Sequence, residues 1–124
     1  MRITGLDHLV LTVADIDATC DFYGRILGMT RESFAGGRTA LKFGHQKFNL
    51  HQAGREFEPK ADKPVPGSAD ICLIVDDVAA AEKRLAGEGV EIIDQGPRTG
   101  ANGEIISIYC RDPDGNLVEL SQYK

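Results

Sequence analysis

Residues 7–16, DHLVLTVADI, return 62 positions later as residues 69–78, ADICLIVDDV. A chain of 124 residues that repeats itself at half its length is restricted to two copies of one supersecondary unit. In the first copy Leu9, Leu11 and Val13 alternate with His8, Val10 and Thr12, which predicts a strand with something packed on each face. Asp15 then supplies an N-cap, and Ile16, Phe22, Tyr23, Ile26 and Leu27 fit an amphipathic helix closed by Gly28. In the second copy Asp77, Val78, Ala81, Leu85 and Gly89 repeat the arrangement. Short strand-like runs follow each helix, at 29–34, 39–43 and 47–51, then at 91–93, 105–110 and 117–121. Turns at Gly36-Gly37, Gly44-His45, Gly100 with Gly103, and Asp114-Gly115 separate them.

The closing strands also align, KFNL with LVEL, which pairs Asn49 with Glu119 at an offset of 70. The growth from 62 to 70 places extra residues in the second half, assigned by turn composition to a loop over 95–103. The reading is an α+β domain of two βαβββ modules, 1–53 and 68–124, joined by a proline-bearing linker 54–67, with curved mixed sheets around a central cavity. Neither module has enough buried surface to stand alone, so the whole chain is expected to form one domain.

Charge and cysteine content narrow the function classes. A net charge of −5 opposes a nucleic-acid or anionic-membrane surface, which needs dense Lys and Arg. No apolar run approaches a bilayer span, and the first residues lack the apolar core of a secretory leader. Cys20, Cys72 and Cys110 are odd in number and show no CxxC spacing. They read as buried thiols of a cytoplasmic protein rather than as disulfides or a thiolate zinc site. With no Trp and 6% aromatic residues, a stacking platform for bases is not expected.

Side chains alternate along a strand, so the residues turned away from the helices can be read by parity. They include His8, Asn49, His51, Asp70 and Glu119. Imidazoles and carboxylates converging from separate strands suit a divalent ion such as Fe, Mn, Ni, Co or Zn. Glu119 lies between Val118 and Leu120, where a carboxylate needs a cation or an Arg partner. Tyr109 is a candidate acid or base but fits a core position equally well. Arg38, Arg98 and Arg111 are candidates for holding an anionic substrate, and residues 112–115 read as hairpin geometry.

The segments DHLVLTVADIDATCDFYGRILGM and RDPDGNLVELSQ resemble the opening and closing segments of the vicinal oxygen chelate superfamily, which includes glyoxalase I, extradiol dioxygenases and the fosfomycin- and bleomycin-resistance proteins. The likeness spans the chain and points to a subgroup of glyoxalase-domain-containing or biphenyl-diol-dioxygenase-like proteins. It implies metal ligands at His8 and Glu119. Asp70 stands where the family usually has His, and Asn49, with His51 two residues on, stands where glyoxalase I has Glu. The ligand set implied is therefore His8, His51, Asp70 and Glu119, with Glu119 also the catalytic candidate. The implied function is a metal-dependent lyase, isomerase or dioxygenase acting on a small substrate with vicinal oxygens. The alternative is a metal-free binding protein that sequesters a small molecule. The likeness further implies a homodimer, while the charge and hydropathy argue against a nucleic-acid or membrane partner.

Overall fold

A computed structural model describes residues 1–124 and divides into two compact units, 1–66 and 67–124. In the first, β1 (His8–Val13) leads to α1 (Ile16–Cys20), which continues as a π-helical turn over Asp21–Ile26. Three strands follow: β2 (Thr30–Phe34), β3 (Arg38–Phe43) and β4 (Gln46–Gln52). The second unit repeats the order as β5 (Asp70–Ile74), α2 (Val78–Gly87), β6 (Asp94–Gly100), β7 (Gly103–Arg111) and β8 (Leu117–Tyr123). The sheets have orders β1-β4-β3-β2 and β5-β8-β7-β6. In each, the first strand pairs parallel with the last and the remaining pairs are antiparallel. The βαβββ reading of both halves is borne out.

The caps act as the sequence suggests. Asp15 accepts from the Ala18 N–H and Asp77 from the Ala80 N–H, each at 3.0 Å. At the end of α2 the Val90 N–H bonds to the Leu85 carbonyl and the Gly89 N–H to Ala86, with Gly89 at φ +71°, a Schellman closure. The first helix departs from the expected continuous α-helix. Met29 N–H reaches back six residues to Tyr23, and Leu27 N–H five to Phe22. Asp15 to Gly28 spans 13 positions whereas Asp77 to Gly89 spans 12, and the wider π turn takes up the additional residue.

The helix-facing sides form the cores. In the first unit Leu11, Val13, Tyr23, Leu41, Phe48 and Leu50 are buried, and Tyr23 lies edge-on to Phe22 and Phe48 at 5.0 and 5.6 Å. In the second, Leu85 of the alanine-rich α2 meets an aliphatic set including Ile108, Cys110, Val118 and Leu120.

Two expectations need correction. Residues 91–93 are not a strand, and 95–103 are not a loop, since β6 occupies Asp94–Gly100. Gly96 and Pro97 suggest a turn by composition, but β6 is the sheet edge, where a missing ladder N–H is tolerated. The extra residues of the second half are spread along it instead. Five positions separate Gly89 from Asp94 against two from Gly28 to Thr30, β7 is longer than β3, and the turn before β8 is longer than Gly44-His45. The residues of the expected linker up to Pro66 group with the first unit, and Phe57 packs there on His51 and Arg38.

The turn at 112–116 holds itself through side chains, as the hairpin reading requires. Buried Asp112 accepts from the Asp114 and Asn116 N–H groups at 2.9 and 3.0 Å, and from Asn116 Nδ2 at 2.8 Å. Asn116 Oδ1 in turn accepts from the Ala69 N–H at 2.8 Å, which ties the turn to the start of β5.

Candidate active site in the second unit

Strand register sorts the open face of the second sheet into rows. Arg111, Leu117 and Asp70 share one row; Asp94, Tyr109, Glu119 and Cys72 share the next; Ser107 and Ser121 follow. A solvent-open cavity of about 490 Å³ lies over the first two rows, with Asp70, Tyr109 and Glu119 on its walls together with Arg98, Arg111 and Ile93.

Glu119 is held from beneath. The Ser107 hydroxyl donates to its Oε2 at 2.6 Å and the Ser121 hydroxyl approaches the same oxygen at 3.2 Å. Both serines are fully buried and lie 2.7 Å apart. No Lys, Arg or His forms an ion pair with this carboxylate; the Arg98 beside it is paired with Asp94 instead. Of the two partners the sequence allowed Glu119, an Arg is therefore ruled out within the unit.

Tyr109 is set by Arg98. The guanidinium folds back along the edge strand, Nε donating to the Tyr109 hydroxyl at 3.1 Å and Nη2 to Asp94 at 3.1 Å. Gly96 permits this path, because a Cβ there would stand 3.1 Å from Arg98 Nη1. Burial raises the Tyr109 hydroxyl above its ordinary range, Arg98 opposes the shift and Glu119 adds to it. The phenol thus stays protonated at neutral pH and is a donor. Arg111 bonds the Gly115 carbonyl at 3.3 Å and has no acidic partner.

The four candidate ligands divide between the units. Asp70 and Glu119 come together on the wall of this cavity. His8 and His51 belong to the first unit, four residues apart in register, roughly 13 Å along the strand. The exposed His8 ring bonds Asp7 at 2.8 Å, and this bond, with the His8 and Lys47 charges, holds the Asp7 carboxyl below the usual range. His51 is buried, with its ring edge-on to Phe57 at 5.8 Å. Within either unit, no group of three His, Cys, Asp or Glu side chains is placed to hold an ion. The donors present in the second unit, two carboxylates without cation partners, have the hard-oxygen chemistry a divalent ion takes.

Cys20 and Cys110 are buried as expected, but Cys72 is exposed, because β5 is a sheet edge and Cys72 lies on its open face. Its Sγ stands 3.3 Å from the Ser121 hydroxyl, and although the residue is exposed, partial desolvation of the sulfur is the main cause of its raised pKa. Ser107 and Ser121 were not singled out from the sequence. Ser121 was within reach, since it shares the parity of Glu119; Ser107 lies on a strand whose register the sequence does not give.

The paired βαβββ modules are those of a vicinal oxygen chelate protein. The chain belongs to the Glyoxalase/Bleomycin resistance protein/Dioxygenase superfamily, whose profile matches residues 5–120. It is 54% identical to glyoxalase domain-containing protein RDO1 of Mycosarcoma maydis, over 100% of this chain and 71% of that one. It is also 54% identical to virulence protein STM3117 of Salmonella typhimurium, over 99% of this chain and 87% of that one. The crystal structure of STM3117 superposes with a TM-score of 0.98 at 52% identity, covering 100% of both chains. A mitochondrial methylmalonyl-CoA epimerase of Dictyostelium discoideum is 42% identical over 94% of this chain and 77% of its own.

Proposed function

We propose that the protein is a metal-dependent enzyme acting on a small substrate with neighbouring oxygens, by lyase, isomerase or dioxygenase chemistry. One observation carries this reading: Glu119 sits on the wall of an open cavity beside Asp70, fixed by two hydroxyls and paired with no cation. A buried-edge carboxylate in that state is stabilised by a cation from outside the chain. Glu119 and Asp70 would supply oxygen ligands. The ion would act as a Lewis acid toward substrate oxygens. Tyr109 keeps its proton on Oη, held in direction by Arg98, and presents it to a substrate oxygen. Arg111, without an acidic partner, attracts an anionic group of the substrate. The likeness to a protein named as an epimerase supports the isomerase branch of this reading.

The test uses protein purified without a His-tag. Its metal content is measured, and stripped and reloaded samples are screened against diketones, catechols and thiol adducts. Turnover that needs the metal and vanishes in Glu119→Gln supports the proposal. Retention of a small molecule with no metal and no turnover favours the sequestering alternative.

A homodimer is part of the same proposal. The edge strands β1 and β5 expose Val10 and Ile74, and an unpaired apolar edge is stabilised by covering. Light scattering is expected to give twice the 13.4 kDa chain mass, and a monomer contradicts it.

A further inference from the structure

The open face of the first sheet carries a row of donors that the proposed chemistry leaves unused. Thr12 of β1 lies beside His51 of β4 in the parallel register, and one step beyond the Thr39–Leu50 pair Arg38 of β3 flanks His51 on its other side. Leu11, Val13, Leu41 and Leu50 of the same strands fill the core, so alternation turns Thr12, His51 and Arg38 to the open side. One ring supports two of them. The Arg38 guanidinium carbon lies 4.4 Å from the centre of the Phe57 ring, and the His51 ring stands against that ring at 5.8 Å. Stacking holds a guanidinium by its face and leaves its N–H edges for other partners. Arg38 is partly buried, yet it has no carboxylate at ion-pair distance and no acceptor in the chain. The acidic residues beside Phe57 are engaged elsewhere: Glu56 accepts from the Gly54 N–H at 2.6 Å, and Glu58 pairs with Lys60. His51, only 7% exposed, makes no hydrogen bond, and neither does the Thr12 hydroxyl.

We infer that Arg38, His51 and Thr12 form a binding site for the carboxylate of a small organic acid. A partly buried cation with no acidic partner is stabilised by an anion from outside the chain. The planar guanidinium fork matches a carboxylate through two parallel N–H···O bonds. The imidazole has an N–H in either tautomer and the threonine a hydroxyl, so all three side chains can donate to one acid group. The row has one fixed positive charge, which balances a carboxylate; a phosphate brings up to two negative charges. No metal ion takes part, so this site stands or falls apart from the reading of Glu119.

The experiment is a nuclear magnetic resonance titration of ¹⁵N-labelled full-length protein with sodium acetate and, separately, with inorganic phosphate. Sodium chloride at matched ionic strength and the same pH is the control. The reporters are the Arg38 Nε–H and the backbone amides of Thr12, His51 and Phe57. Acetate is expected to shift them saturably, and Arg38→Gln to raise its Kd about tenfold or more, the worth of a charge-assisted hydrogen bond. Arg38→Lys keeps the charge without the fork and is expected to lose nearly as much, while His51→Ala loses less. Thermal melts of each variant check the fold, and Arg38→Lys against Arg38→Gln separates the fork from the charge. Wild type without saturable shifts at these reporters overturns the inference, as does Arg38→Gln binding acetate as wild type does. Shifts confined to Arg98 and Arg111 put the anion in the second unit and overturn it equally. Phosphate binding more tightly than acetate overturns the carboxylate assignment.

Discussion

The two units share their scaffold and differ on their open faces. Asp15 and Asp77 cap by the same bond, Gly28 and Gly89 both close at a positive φ, and both sheets have the same strand order. Even Gln52 and Gln122, equivalent in the repeat, both reach the start of their helices. Gln52 donates to the Ala14 carbonyl at 2.6 Å, and Gln122 accepts from the Val78 N–H at 2.9 Å. The open face is another matter. Asn49 sits between Val10 and Ala40, and its buried Oδ1 has no hydrogen-bond partner. Glu119, its equivalent, sits between Cys72 and Tyr109 over two serines. The scaffold tolerates either set, because cap and core bonds are made on the helix side. Chemistry can therefore change on one unit without refolding it.

The largest stability difference between the units should lie in their last turns. Asp112→Ala removes three hydrogen bonds and leaves buried Asn116 partly unsatisfied, so a loss of about 3 kcal/mol is expected in urea titration. His45→Ala, in the corresponding exposed turn of the first unit, should stay within about 0.5 kcal/mol. Similar losses at both sites would break the comparison.

A second difference is visible at alkaline pH. Cys110 replaces the core leucine Leu41 at the matching position, and burial pushes its thiol from the ordinary 9.0 up to about 11. The folded state then holds a proton that the unfolded state releases. This contribution is complete below about pH 9 and is lost as pH rises through about 11, at most roughly 3 kcal/mol in all. Melting temperatures at pH 8 and 10.5 should fall further apart in wild type than in Cys110→Val. Parallel falls would remove Cys110 as the cause.

The smallest effect concerns what the units share. Asp15→Ala and Asp77→Ala should each cost about 1 kcal/mol, because each deletes one cap bond of equal length. Unequal costs in chemical denaturation would show that the π turn after α1 changes what the cap stabilises.

Periodicity and capping in the sequence were sufficient for the βαβββ pattern, because those signals are local. Edge strand β6 was hidden, since Gly96 and Pro97 carry turn chemistry wherever they stand, and only the register on β7 makes them a strand. The π turn leaves a trace in the sequence: the spacing from aspartate to glycine differs by one residue between the repeats. Parity located Glu119 and Asp70 on one face, where both line the cavity. It could not supply Ser107 or the Arg98–Tyr109 bond, which depend on partners 12 and 11 residues distant across a hairpin. The exposed Cys72 was misread because thiols are commonly buried and the edge position of β5 is a property of the sheet.

If the open face of the second unit holds a divalent ion through Glu119, the equivalent position of the first unit, Asn49, is not required. Substoichiometric Mn²⁺ added to ¹⁵N-labelled, metal-free protein tests it most directly, because the ion broadens amide signals near its site. Broadening is expected to centre on Asp70, Tyr109 and Glu119, to be lost in Glu119→Gln and to be kept in Asn49→Ala. Broadening that persists unchanged in Glu119→Gln would contradict it.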